Sequence, residues 1–187
     1  EKPSTLRMIL PEVYMETEKD YSARIAAAKE AMRAYLARGL FRKLPKGFVL
    51  VRRSTPYVKE RFGIVLAVDL EQYSYRHEDG AAIRASEATI VERIPPRLKI
   101  REGAPLEFPH IMLLYDDPQH TVRAAAEKAA GETLYDFDLN MGGGHLRGRF
   151  ASDTEPIVAA FTALVRSGMQ FMVGDGNHSL ATAKAAW

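Results

Sequence analysis

"TLYDFDLNMGGGHLRGRF", residues 133–150, alternates apolar and polar side chains on both sides of a glycine-rich break. Successive strand side chains point to opposite faces, so this alternation predicts a β-hairpin with strands near 133–139 and 145–150. The glycines at 142–144 make its turn. They are no Walker loop, because no Lys-Ser/Thr pair follows them and they join two strands. His145 and Arg147, just past the turn, are placed where they can face a ligand.

A second antiparallel pair is expected upstream. "GFVLVRRS" (47–54) and "FGIVLAVDL" (62–70) are rich in Val, Ile and Phe, and "TPYVKER" with its Pro56 separates them. Helical patterns surround these hairpins. The first is expected over 18–37, with Thr17 as N-cap, Asp20 in its first turn and Gly39 as its stop. Tyr21, Ile25, Ala28, Met32 and Tyr35 recur along it at four- and three-residue steps, the spacing of one buried stripe. Residues 87–93 predict another helix, ended by Pro95-Pro96, a pair that can also begin the next one.

"EFPHIMLLYDDP" (107–118) reads as a buried strand, and "QHTVRAAAEKAAG" (119–131) as a short helix stopped by Gly131. A helix over 155–166 follows, capped by Ser152 or Asp153 and ended by Gly168. The last unit is strand "MQFMV" (169–173), loop "GDGNH" (174–178) and helix "SLATAKAAW" (179–187). Hairpins and helices in mixed order, without regular βαβ alternation, predict an α+β fold. The expected architecture is a mixed or antiparallel sheet with flanking helices, in a single domain over 1–187.

Composition narrows the function. With 187 residues, 47% apolar and 27% charged, the chain can bury a core, which excludes disorder and low-complexity classes. Its apolar runs, such as Ile64–Val68, fall far short of the roughly 20 residues that span a bilayer, and nothing from Glu1 onward reads as a signal peptide. A cytoplasmic protein without membrane contact is expected. Zero cysteines remove disulfides, thiolate zinc sites and cysteine nucleophiles. A net charge of +2, and no interleaving of aromatics with the basic stretches Arg52-Arg53 and 97–101, argue against a nucleic-acid partner. The histidines at 77, 110, 120, 145 and 178 include no i, i+4 pair, which argues against a histidine-built metal site. The polar run Arg76 to Gly80 reads as a solvated loop, and Asp116-Asp117-Pro118 as turn chemistry. A start without Met, and an end at Trp187 about two turns into a helix, predict a fragment of a longer chain.

The strongest local signal is the terminal strand, loop and helix. Gly174 and Gly176 let backbone approach a ligand closely, and the helix that follows aims its free N–H groups and positive dipole end at the loop. An anion belongs there. Each dipole contact contributes only about 0.3–1 kcal/mol, so a phosphate also needs donors such as Asn177, His178 and Ser179. Asp175 repels a phosphate unless a divalent cation lies between them or it takes a proton from an attacking group. The alternative is a plain helix cap, with Asp175 or Asn177 as the capping residue.

"DGNHSLATAKAAW" (175–187), "IRASEATIVERIPPRLKIREGAPLEFPHIMLL" (83–114), "STLRMILPEVYME" (4–16) and "LYDFDLNMGGGHLRG" (134–148) together resemble the bacterial and archaeal family known as domain of unknown function 1015. The resemblance runs through nearly the whole chain. It implies a place near the ParB and sulfiredoxin-like group, which includes free-serine kinases with an Asp-Gly-His-His-Arg motif and CTP-binding partition proteins. It therefore implies a phosphate or nucleotide site at Asp175-Gly176-Asn177-His178. Asn177 stands where the kinase form has its first His, and Ser179 where it has Arg, so the bidentate guanidinium fork is absent.

The family pattern in "IRASEATIVER" falls on Arg84, Glu87, Thr89, Glu92 and Arg93. On a helix Thr89, Glu92 and Arg93 share a face. Glu87 is then the candidate base for a substrate hydroxyl, and Arg84, Thr89 and Arg93 the phosphate contacts. The alternative is an exposed helix laced with Glu–Arg pairs.

The expected function is phosphoryl transfer on a small hydroxylated metabolite such as a free amino acid. Asp175, His178 and Glu87 are its catalytic candidates, Asp175 holds Mg²⁺, and Gly174, Gly176, Asn177, Ser179, Arg84, Thr89 and Arg93 bind ATP or ADP. A nucleotide-binding switch of the ParB-like kind without metabolic turnover is the alternative. A purely structural domain is the third reading.

Overall fold

The computed structural model describes residues 2–76, 80–108, 110–166 and 171–187. Among these the chain forms six α-helices and two four-stranded sheets, the α+β organisation that the mixed pattern predicts. Contacts divide it into two units. Unit 1 holds Glu1–Lys43, Leu70–Leu114 and Met172–Trp187; unit 2 holds Leu44–Asp69 and Tyr115–Phe171.

Unit 2 is built on the two hairpins. Strands β1 (Phe48–Ser54) and β2 (Arg61–Val65) pair antiparallel, as do β6 (Thr133–Leu139) and β7 (Gly144–Ala151). β1 also pairs antiparallel with β7, giving the order β2-β1-β7-β6. Cross-strand partners share a face, so Phe48, Leu50, Phe62 and Ile64 line one side. That side packs on α4 (Thr121–Ala129) and α5 (Glu155–Arg166) through Ala126, Ala151 and Ile157, all fully buried.

Asp116-Asp117 leads into α4 rather than into a site. Asp117 Oδ1 accepts from the N–H of Thr121 at 2.7 Å, and Oδ2 from those of Val122 at 3.0 Å and Arg123 at 3.2 Å, which satisfies the first turn. The α5 start differs from its expected caps: the Thr154 carbonyl accepts from the Val158 N–H, so neither Ser152 nor Asp153 holds that position. Gly168, its expected stop, lies outside the described residues, as does 77–79 of the Arg76 to Gly80 loop.

In unit 1 the expected helix over 18–37 starts later, as α2 (Ser22–Ala37), and Thr17, its expected N-cap, instead ends a separate helix, α1 (Glu12–Thr17). The break has a local cause, because the Asp20 carboxylate accepts from the Ser22 N–H at 2.9 Å and starts a new first turn, while Thr17 bonds back to the Val13 carbonyl. The predicted stripe holds from Ile25 to Tyr35 and is buried, and Gly39 ends the helix at φ 66°.

Strands β3 (Tyr73–Ser74), β4 (Ile83–Ala85), β8 (Phe171–Asp175) and β5 (Met112–Leu114) form a mixed sheet in the order β3-β4-β8-β5. β3 and β4 run parallel, and β5 is antiparallel to β8. The expected buried strand over 107–118 is instead this short edge strand, with Met112 and Leu114 exposed. The expected helix over 87–93 is also absent. A single 3₁₀ turn at Val91–Arg93 precedes α3 (Ile94–Arg101), which Pro95 and Pro96 open at its first positions. Helix α6 (Asn177–Ala186) packs on α3.

Gly144 sets the 133–151 hairpin against β1. Its φ is 91°, and a Cβ there would sit 1.8 Å from the Ser54 carbonyl oxygen. Gly144→Ala is expected to destabilise the protein by roughly 2 kcal/mol or more, from backbone strain and overpacking together, read as a lower denaturation midpoint. A midpoint equal to wild type would mean that the turn relaxes freely.

Candidate functional site

The end of β8 and the start of α6 place four sequence candidates side by side. Gly176 takes a left-handed conformation (φ 88°), and a Cβ there would come within 3.1 Å of Ile111. The helix starts at Asn177 with no side-chain cap on its first turn. Asp175 is exposed. Its Oδ1 accepts from the adjacent Gly176 N–H at 2.8 Å, so it does not cap α6, and among the described residues it has no hydrogen bond to Glu87 or Arg93.

Asn177 and His178 face inward, and each captures a backbone amide of the 86–90 segment. Asn177, 4% exposed, accepts from the Ser86 N–H through Oδ1 and donates to Ser86 Oγ through Nδ2, both at 3.2 Å. His178 Nε2 accepts from the Ile90 N–H at 3.1 Å. The Ile90 amide is therefore unavailable to the first ladder bond of a helix over 87–93, which is why residues 86–90 stay irregular and why Thr89, Glu92 and Arg93 do not share a helical face. Beneath the junction lies Tyr73, fully buried, whose hydroxyl donates to the Asn177 carbonyl at 3.4 Å. Burial raises its pKa, partly offset by Thr89, whose buried Oγ1 lies beside the phenol without reaching good hydrogen-bond geometry. Ser179 Oγ sits 3.1 Å from His110 Nε2.

An imidazole nitrogen that accepts a hydrogen bond must be unprotonated, so His178 carries its proton on Nδ1. The surroundings agree. Burial lowers the His178 pKa, the charges of Arg93 and Arg97 lower it further, and those of Glu87 and Glu12 oppose them. Two guanidinia and two carboxylates thus act on the charge of His178. Arg97 and Glu12, joined at 2.6 Å, are members that sequence reasoning missed. Arg97 stands one turn beyond Arg93 and was legible as its helical neighbour, whereas nothing local marks Glu12. Arg84 is exposed on β4, with its Nε on the Ala81 carbonyl.

In unit 2 the candidates beside the hairpin turn are tied to acids. His145 Nε2 meets Asp136 Oδ1 at 2.6 Å and its Nδ1 meets Asp138 Oδ1 at 2.8 Å; Arg147 Nε lies 3.3 Å from Asp136 Oδ2. These hydrogen bonds, to Asp138 and then to Asp136, raise the His145 pKa.

The two histidines should titrate on opposite sides of the ordinary value of 6.5. His178, with its folded value lowered, contributes stability that is complete above 6.5 and is lost as pH falls through the lowered value. His145, with its folded value raised, contributes stability that is complete below 6.5 and is lost as pH rises through the raised value. Imidazole Cε1–H resonances followed against pH read both midpoints, and Asp138→Asn should return His145 toward 6.5. Coincident midpoints would contradict both environments.

Among the described residues no helix is long and apolar enough to cross a membrane. No curated protein and no solved structure matches the chain. A family model does, the one described as "Protein of unknown function (DUF1015)", over residues 1–187. The family expected from the four sequence segments is thus found, and the match does not extend to the ParB and sulfiredoxin-like group or to kinases. With the model covering its whole length, the chain belongs to the family of proteins of unknown function designated DUF1015.

Proposed function

We propose that this protein is a phosphate- or nucleotide-binding enzyme that transfers a phosphoryl group on a small hydroxylated metabolite such as a free amino acid. The site is the first turn of α6. One observation carries the reading: Asn177 and His178 hold the 86–90 segment against an α-helix N-terminus that has no side-chain cap, with Glu87, Arg93 and Arg97 within electrostatic reach of His178. Free N–H groups and a positive dipole end favour an anion, and the guanidinia add charge where phosphate oxygens would lie.

Each residue then has a distinct part. Glu87, exposed, is the base that accepts the proton of a substrate hydroxyl. Arg93 and Arg97 balance phosphate charge. His178, held neutral with Nε2 engaged by Ile90, keeps Nδ1–H as a donor and fixes the 86–90 segment. Gly176 lets the backbone turn sharply into the helix, and Ser179 adds a hydroxyl to the first turn.

Among the described residues no three His, Cys, Asp or Glu side chains gather as a metal cage. Asp175 is the residue that would hold Mg²⁺ beside a bound phosphate, where the ion would offset its charge. When bound, ATP or ADP with Mg²⁺ supplies the transferable group or accepts it, and the ion neutralises its charge.

A second reading, a nucleotide-binding switch without metabolic turnover, is favoured by one feature. Asn177 is buried and its amide is engaged with Ser86, so it holds structure at a position where the kinase motif carries His.

Calorimetric titration of the full chain with ATP, ADP and CTP, with and without Mg²⁺, tests both. Nucleotide binding is expected, and Arg93→Ala should weaken it about tenfold or more, since a charge-assisted hydrogen bond contributes about 1.5–3 kcal/mol. Asp175→Asn should retain the fold and abolish turnover with a free amino acid. Binding without turnover in wild type would select the switch, and no response to any nucleotide would overturn both readings.

A further inference from the structure

Unit 2 carries a second basic site, independent of the α6 junction and of the function proposed for it. Cross-strand pairing sets Arg52 of β1 directly opposite Arg147 of β7, and Arg149 opposite Leu50 two residues away, so all three guanidinia rise from one face of the sheet. Like charges placed directly opposite oppose strand pairing. A small cavity of about 60 Å³ opens between them, lined by Leu50, Arg52, Glu127, Ala130, Arg147 and Arg149. Ligand pockets usually measure roughly 300–1,000 Å³, so this one has room for a headgroup and not for a whole nucleotide.

Carboxylates hold the other guanidinia of this cluster, and Arg149 is the one that they leave to carbonyl oxygens. Glu60 and Glu127 are each shared between Arg52 and Arg123. Asp136 is shared between Arg147 and His145, and its contact with Arg147 is long, at 3.3 Å. Arg149 has only neutral partners among the described residues, the carbonyls of Ala130 at 2.6 Å and Gly131 at 3.2 and 3.3 Å. Leu50 and Ala130 add apolar surface to the lining, and Glu127 the one carboxylate, which is engaged by Arg52 and Arg123.

We propose that this cavity binds a phosphate group, as inorganic phosphate or as the headgroup of a phosphomonoester, bridging Arg52, Arg147 and Arg149. A tetrahedral oxyanion offers several acceptors to forked donors and removes the repulsion between the facing arginines, which a chloride ion does without directionality.

The test titrates the full chain with inorganic phosphate, and separately with glycerol 3-phosphate, at constant ionic strength, following the arginine Nε–H resonances. Those of Arg147 and Arg149 should shift and saturate, with chloride producing no saturation. Arg147→Gln should weaken binding at least tenfold and Arg147→Lys, which keeps the charge and loses the fork, severalfold. Arg93→Ala, at the α6 junction, should leave these shifts unchanged. Tighter binding of glycerol 3-phosphate than of phosphate assigns the site to a monoester, and the reverse assigns it to the free ion. Absence of saturation with both probes at millimolar concentration, or wild-type affinity in both Arg147 variants, overturns the proposal.

Discussion

Two side chains at the start of α6 determine the shape of a segment ninety residues earlier in the chain. Asn177 takes the amide of Ser86 and His178 takes the amide of Ile90. A helix over 87–93 would need the Ile90 amide for its own ladder, and with it engaged elsewhere the chain stays irregular until Val91. The next helix then starts where local chemistry already favours it, at a proline pair whose missing N–H groups fall among the unsatisfied first-turn positions. Capture of one amide thus fixes the origin of α3, and with it where Arg93 and Arg97 stand.

The same junction explains why its polar residues are buried. An unpaired buried amide or hydroxyl costs about 1–3 kcal/mol, a cost that Thr89 Oγ1 bears and that Asn177, Thr182 and Tyr73 avoid. Asn177 avoids it by giving one bond and taking one from a single serine, Thr182 by donating to the His178 carbonyl at 2.7 Å, and Tyr73 by donating to the Asn177 carbonyl. The Lys184 ammonium donates to the Tyr73 carbonyl, tying the far turn of α6 to β3. Two neighbouring residues of α6 thus engage β3 and the 86–90 segment together, which a lone helix cap would not do.

What the sequence makes legible is what local physics determines. The hairpin over 133–151 is written in alternation and in glycines that only a tight turn accommodates. The α2 stripe is written in three- and four-residue steps. Helix 87–93 was misread because propensity is a weak prior, and the competing hydrogen bonds come from residues whose proximity no local pattern encodes. The start of α2 differs for a smaller reason: Thr17 is spent on the Val13 carbonyl at the end of α1, and the Asp20 carboxylate takes the Ser22 N–H just before the helix begins. The strand over 107–118 looked buried because it is apolar, yet at a sheet edge Met112 and Leu114 remain exposed. Of the site, Gly176 and the α6 residues are legible as a loop and helix start, Arg97 is legible as the helical neighbour of Arg93, and Glu12 is not, because no local pattern ties it to them.

Charge at the α6 junction follows from the same tertiary logic. Ser179 brings no guanidinium to the first turn of α6, which in isolation leaves that turn with a dipole alone. The irregular 86–90 segment returns positive charge by another route, because it delivers Arg93 and then, one helical turn later, Arg97. Arg97 is oriented by Glu12 and by its own bond to the Arg93 carbonyl at 3.1 Å. These two arginines also disfavour protonation of His178, whose neutrality allows Nε2 to hold Ile90. Protonation of the imidazole would remove the acceptor, and with it the contact that keeps the arginines in place. Segment conformation and local charge are therefore coupled through one nitrogen atom, and each sustains the condition that the other requires.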